Sequence, residues 1–159
     1  MKLVIKKTHT GKRVFAGQAI KKDEVIIEMS GPKMLWSKIE ALILAGALNA
    51  DDPFQIAEDR FILLDPTPRY FNHSCDPNTG IKEGNMLVAL REIKKGEEIT
   101  YDYSSVVCAH CDWRMHCACG SNVCRKVIKN ARSIPKKQLQ KYIELGVLPR
   151  FIKKELTRA

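Results

Sequence analysis

Cys117, Cys119 and Cys124 stand in "CACGSNVC" with the spacing C-x-C-x-x-x-x-C. Zn²⁺ takes four thiolate or imidazole ligands in a tetrahedron, and a close cysteine pair plus a third across a Gly-Ser turn supplies three corners. A fourth donor must come from elsewhere. Cys75, Cys108, Cys111, His110 and His116 are the candidates, and spacing does not choose among them. Such a metal would contribute roughly 10 kcal/mol of folding free energy to a segment with little core of its own. Cys108-x-x-Cys111 is a weaker signal, readable as a second metal knuckle with a histidine, a redox pair or two ordinary thiols.

Two further stretches concentrate chemistry. Residues 70–80, "YFNHSCDPNTG", gather two asparagines, a histidine, a cysteine and an Asp-Pro turn, all groups that are costly to bury unpaired. Residues 100–103 read "TYDY". In a strand alternate residues share a face, so Tyr101 and Tyr103 are expected together and Asp102 away from them. Two phenols on one face can wall a channel, although a buried aromatic strand pair is the commoner meaning of Tyr-x-Tyr.

The elements that must position these residues are mostly strands. Runs rich in Val, Ile, Phe and Tyr occur at "KLVIK", "RVFAGQAI", "EVIIEM", "RFILLD", "NMLVAL" and "EITYDY", with "KEGN" and "KKGEE" as turns. Ser37 and Glu40 fit a capping box opening a helix with an apolar face of Ile39, Leu42 and Ile43, ending near Asn49. A second helix starts near Ser133 and Pro135, carries Leu139, Tyr142 and Ile143 on one face, and stops at Gly146.

The 159 residues suffice for one domain with its own core, and 45% apolar with 28% charged residues is a globular composition. No signal-peptide run opens the chain and "ALILAGAL" is too short to span a bilayer, so an intracellular setting without membrane contact is expected. There six cysteines are better explained as metal ligands or buried thiols than as disulfides. The net charge of +9 is uneven: residues 1–124 balance 16 Lys and Arg against 16 Asp and Glu, whereas 125–159 hold 11 against 2. That basic end suits nucleic acid or another acidic surface, with a merely solvated face as the plain alternative.

Taken in order, "GKRVFAGQAI" (11–20), "RYFNHSCDPN" (69–78), "GEEITYDY" (96–103) and "CACGSNVCR" (117–125) resemble the SET-domain protein lysine methyltransferases that carry a zinc-binding post-SET segment. The resemblance spans nearly the whole chain, and the compact size is similar to small prokaryotic or viral members. It implies a mostly β fold (β+α) of short curved sheets with a C-terminal pseudoknot that sets the first and third motifs side by side. By that resemblance residues 1–104 form the SET domain, 105–126 the zinc-binding post-SET segment, and 127–159 a basic C-terminal helical extension.

The resemblance further implies S-adenosylmethionine in one pocket and a substrate lysine entering from the opposite face. Asn72 and His73 match the residues that hold the cofactor, Arg69 a position near its methionine end, and Lys12, Arg13 and Val14 the first cofactor-binding turn. Tyr103 matches the active-site tyrosine and contacts both cofactor and amine. Tyr101 matches the position where tyrosine favours mono- or dimethylation. Cys75 matches the cysteine that joins Cys117, Cys119 and Cys124 at one zinc. This chain departs from the family at Arg13, where a glycine is usual, in "EMSGP" (28–32), and at Lys126. The competing expectation is a SET-like binding module that docks on nucleic acid or chromatin through the basic end. A thiol hydrolase built on Cys75 and His73 is disfavoured, because the two stand only two residues apart and no orienting partner is identifiable.

Overall fold

The computed structural model describes residues 2–9, 11–82 and 85–157. Residues Glu83 and Gly84, at the expected "KEGN" turn, lie outside them, as do Met1, Thr10, Arg158 and Ala159. The chain opens with a hairpin of β1 (Leu3–Thr8) and β2 (Gly11–Ala16), in antiparallel register from Leu3 opposite Ala16 to Thr8 opposite Gly11. Along the second half of β2 alternate residues turn inward, so Val14 and Ala16 are buried while Arg13 and Phe15 are not fully covered.

Next come β3 (Val25–Glu28), β4 (Lys33–Leu35), α1 (Trp36–Leu44), β5 (Pro53–Ala57) and β6 (Arg60–Leu63). Then follow the short β7 (Asn72–His73), β8 (Thr79–Lys82), β9 (Met86–Ala89) and β10 (Thr100–Tyr101). The C-terminal part holds β11 (Arg114–His116), β12 (Val127–Lys129), α2 (Lys136–Glu144) and α3 (Arg150–Thr157). Two three-stranded sheets, β3-β9-β8 and β4-β6-β5, are antiparallel throughout; β10 pairs with β7 in parallel.

The third motif lies against both of the others. The Ile99 amide donates to the Val14 carbonyl at 2.9 Å, Glu98 bridges opposite Phe15, and Thr100 and Tyr101 pair with Asn72 and His73. One apolar cluster, with Val14, Phe71, Leu87, Ile99 and Tyr101, fastens the three motifs together. A second cluster joins Val88 and Leu90 to Ala131, Ile134, Tyr142, Val147, Leu148 and Ile152, so the C-terminal helices dock on the β8-β9 sheet. The approach is close: a Cβ on Gly80 would sit 2.8 Å from the Val147 Cβ.

Helix boundaries differ from the sequence expectation at α1. Its N-cap is Leu35, with no side-chain cap, and Ser37 lies inside the helix; the Trp36 amide is instead taken by the Asp59 carboxylate at 3.1 Å. The cap therefore comes from the turn between β5 and β6, which no local pattern encodes. The helix stops five residues before Asn49, at a left-handed Gly46 with the Ala47 amide bonded back to the Leu42 carbonyl. α2 ends in the same way at Gly146, as expected, but Ile143 faces solvent rather than the core. Among the described residues no helix is long and apolar enough to cross a membrane.

Candidate active site and metal centre

The chain leaves its strand immediately after Tyr101, and Tyr103 opens a short 3₁₀ turn, Tyr103–Val106. Alternation therefore does not apply, yet the two rings end 4.8 Å apart and tilted by 47°. Tyr101 is buried; Tyr103 is partly exposed and donates its hydroxyl hydrogen to the Phe71 carbonyl at 2.9 Å. Both line a cavity of about 800 Å³, within the usual range for small-molecule and cofactor sites. Trp36, Phe54, Phe61 and Trp113 supply more aromatic wall, and Asp51, Asp52, Glu58, Asp59 and Asp112 supply carboxylates. The cationic Arg69 in that lining is paired with Asp52 at 2.6 Å.

Burial holds both phenols above the ordinary tyrosine value, with Glu98 adding to the effect at Tyr103. Burial and then Asp102 raise Tyr142 in the same sense. The folded chain thus keeps phenol protons that the unfolded chain releases above about pH 10. This contribution to stability is whole below that pH and declines as pH rises past it. Denaturant midpoints measured between about pH 8 and pH 11 should fall, and Tyr142→Phe should blunt the fall.

Around the first motif, Lys12 lies over the Tyr70 ring, 4.9 Å from its centroid, and its ammonium reaches the Tyr70 hydroxyl at 3.2 Å. Arg13, where a glycine was expected, turns its guanidinium to Glu98 at 2.8 Å. Glu98 also accepts from the Asn72 amide at 3.3 Å, so one carboxylate joins the first, second and third motifs. Val14 is fully buried and offers a ligand no side chain; its carbonyl is taken by Ile99. Of the residues expected to touch cofactor or substrate, Arg69, Tyr101 and Tyr103 line the large cavity; Lys12, Arg13, Val14, Asn72 and His73 do not.

The His73 imidazole faces the cysteines. Its Nδ1 accepts from the Tyr103 amide at 3.2 Å, which places the ring proton on Nε2, 3.3 Å from the Cys75 sulfur. Burial lowers its pKa to about 4, with Asp102 pulling up and Arg125 pushing down, so the ring is neutral. Cys75, Cys117, Cys119 and Cys124 place their sulfurs within 4.8 Å of one another. Cys75 to Cys117 is 3.8 Å and Cys117 to Cys124 is 3.7 Å, against a tetrahedron edge of about 3.8 Å for Zn–S bonds of about 2.3 Å. The donor set fits zinc. Burial pushes the Cys117 thiol up to about 12, while at Cys119 burial is outweighed by hydrogen bonds from its neighbours, which bring it down to about 6; a bound dication would let the four crowded sulfurs coexist as thiolates.

Two residues that sequence reasoning passed over tie this cluster to the tyrosines. Arg125 donates its amide and Nε to the Cys75 sulfur, each at 3.3 Å, and pairs with Asp102 at 2.5 Å. Asp102 is buried rather than turned away: it caps the 3₁₀ turn through the Ser104 amide and accepts from the Tyr142 hydroxyl at 3.2 Å. A charge placed between two tyrosines in "TYDYSSVV", and a cation directly after Cys124, were the available signals. Removing one partner of a buried ion pair costs about 3–5 kcal/mol. Asp102→Ala should therefore lose about that much in urea unfolding and weaken zinc retention together with it.

The SET domain family matches residues 11–104, which spans all three motifs and both tyrosines. This chain belongs to the SET domain family. It is 32% identical over 127 residues to a histone-lysine N-methyltransferase, H3 lysine-4 specific, of Aspergillus oryzae, covering 70% of this chain and 10% of that protein. It is likewise 32% identical over 139 residues to histone-lysine N-methyltransferase ASHH3 of Arabidopsis thaliana, covering 79% of this chain and 38% of the relative. The chain thus spans well under half the length of the curated relatives it matches. Among solved structures, the methyltransferase domain of human histone-lysine N-methyltransferase SETMAR superposes with a TM-score of 0.61 at 23% identity, over 80% of this chain and 58% of that one. The mostly β SET fold, with a few helices and a cysteine cluster beside it, is thereby established for this chain.

Proposed function

We propose that this chain transfers a methyl group from S-adenosylmethionine to the side-chain amine of a lysine in a protein substrate. The observation that carries the reading is the Tyr101–Tyr103 pair in a carboxylate-lined cavity within a SET domain. When bound, S-adenosylmethionine supplies an electrophilic methyl carbon on a cationic sulfur. Aromatic faces and carboxylates suit both cations of such a reaction, the sulfonium and the substrate ammonium. Asn72 and the main chain at His73 would hold the cofactor, beside Lys12, Arg13 and the backbone at Val14, with Arg69 toward the methionine end. Cys75, Cys117, Cys119 and Cys124 would hold zinc.

A lysine of pKa about 10.4 must lose its proton before it can attack, at a cost of roughly 4 to 5 kcal/mol at pH 7. The carboxylates attract the cationic peptide and by themselves favour the ammonium. Next to Tyr101, which is almost fully buried, desolvation opposes them and favours the free amine. Tyr103 keeps its proton and spends it on the Phe71 carbonyl, so its oxygen remains an acceptor that can orient the amine. It positions the amine; it does not deprotonate it. Holding amine and methyl in line supplies much of the remaining acceleration.

The carboxylate lining supports a substrate in which basic residues flank the lysine, as in basic nucleic-acid-associated proteins such as histones. Lys136, Lys137, Lys141 and Lys154 lie exposed on α2 and α3, which supports a contact with nucleic acid or another acidic surface in an intracellular setting. The testing experiment is calorimetric titration of the zinc-loaded chain with S-adenosylmethionine, followed by labelled-methyl transfer to lysine peptides with basic or neutral flanks. Saturable cofactor binding and preference for basic flanks, weakening with salt, are expected. A zinc-loaded chain that binds no cofactor would end the proposal. A chain that binds nucleic acid steeply with salt, yet transfers no methyl group, would favour the binding-module reading.

A further inference from the structure

The turn Cys108-Ala109-His110-Cys111 lies outside the four-cysteine cluster and no role above uses it. It is closed by the Cys111 amide on the Cys108 carbonyl at 3.1 Å and held from three sides. The Cys108 amide donates to the Gln55 side chain at 2.9 Å, the Ala109 amide to Glu155 at 2.5 Å, and the Asn130 amide group to the Cys111 carbonyl at 2.8 Å. β5, α3 and the segment before α2 thus fix one short loop in place. On it the two sulfurs and a His110 ring nitrogen come within 4.8 Å of one another.

Glu155 is the second observation. Its carboxylate is buried on α3; among the described residues one oxygen, Oε1, has no hydrogen-bond partner, and the other, Oε2, lies 3.7 Å from His110 Nδ1. A buried carboxylate left partly unsatisfied is costly. A carboxylate behind a histidine is, however, the usual means of fixing the tautomer and orientation of a metal ligand. With Nδ1 turned to Glu155, Nε2 is the nitrogen left for a metal.

We propose that Cys108, Cys111 and His110 form a second zinc site, with Glu155 as the positioning residue that holds His110. Two thiolates and an imidazole are a donor set that selects zinc over the hard divalent cations. Three protein ligands leave a fourth position, and all three residues line the same cavity as Tyr101 and Tyr103. In the structure Cys108 and Cys111 are joined as a disulfide. A phosphine reductant and water convert that bond to two thiols and a phosphine oxide, and Zn²⁺ then displaces the two thiol protons. The site is independent of the methyl-transfer reading and stands or falls without it.

The test measures zinc on the full chain, reduced with a water-soluble phosphine under anaerobic conditions and equilibrated with zinc alone. The parent should carry one equivalent more than the Cys108→Ser, Cys111→Ser double variant. His110→Ala should lose the same equivalent, and because the His110 side chain is 71% exposed its removal leaves the fold intact. Glu155→Gln keeps an acceptor for the Ala109 amide and should weaken this site about 10- to 100-fold without changing the first; a purely structural Glu155 would leave the affinity unmoved. Cobalt titration reads the same sites optically, the thiolate-to-cobalt absorption falling in the double variant. Equal zinc content in the reduced parent, the double variant and His110→Ala would overturn the proposal and leave the pair a structural disulfide.

Discussion

Tyr103→Phe is expected to lower kcat for methyl transfer by about 10²- to 10³-fold, the usual cost of deleting one preorganised polar contact at a reacting centre, with little change in cofactor affinity. The hydroxyl is anchored on the Phe71 carbonyl at 2.9 Å and the ring stacks obliquely on Tyr101. Phenylalanine keeps the ring and loses only the oriented oxygen. Because burial raises the phenol above its ordinary value, no ionisation of Tyr103 falls in the working range. The rate of the unmodified chain should therefore climb with pH as the substrate amine deprotonates, with the same slope in the residual activity of Tyr103→Phe. Initial rates against peptide concentration, at several pH values, separate kcat from KM and check both statements. A slope lost in the phenylalanine variant would make Tyr103 a base.

Cys75→Ser is expected to lose zinc and, with it, cofactor binding, whereas Asn72→Ala should weaken the cofactor with zinc retained. Cys75 receives His73 Nε2 on one side and the Arg125 amide and guanidinium on the other, so its sulfur joins the loop of the second motif to the cysteine-rich segment. Loss of a structural zinc worth roughly 10 kcal/mol would release residues 117–125 from that loop. Zinc content by mass spectrometry and cofactor titration of the two variants give the comparison. Equal zinc in both would refute the coupling.

Much of the site was legible because its residues are chemically specific. Thiols at C-x-C-x-x-x-x-C spacing have few uses, and the cluster that forms includes Cys75 from forty-two positions earlier, a ligand that the family resemblance implied and spacing left open. What was illegible depends on partners distant in sequence. Asp102 was expected to point away by alternation, but β10 ends at Tyr101 and the 3₁₀ turn swings Asp102 under Arg125 and Tyr142. The capping-box pattern at Ser37 was overruled because Asp59, on another hairpin, reaches the Trp36 amide first. β7 and β10 have two residues each, too short for any periodicity to show. Within the helical extension expected over 127–159, α3 was not singled out because its inward face includes Glu155 among Phe151, Ile152 and Leu156, so its apolar stripe is interrupted by a charge.

The carboxylates of the cavity were equally hidden. Asp51, Asp52, Glu58 and Asp59 flank β5 and Asp112 follows the Cys108–Cys111 turn, so no single stretch reads as acidic. Their convergence is tertiary, and it opposes the basic charge of residues 125–159. One chain thus presents surfaces of opposite sign, one lining the cavity and one on the C-terminal helices.

The most direct measurement incubates the zinc-loaded chain with S-adenosylmethionine carrying a labelled methyl group and a lysine peptide with basic flanks, then maps the label by tandem mass spectrometry. Label on the lysine side-chain nitrogen, formed about 10²- to 10³-fold more slowly with Tyr103→Phe at equal protein concentration, is the result expected of a methyltransferase built on this tyrosine pair. Zinc-loaded, cofactor-bound protein that leaves every lysine unlabelled, or labels lysine equally well without the Tyr103 hydroxyl, would contradict it.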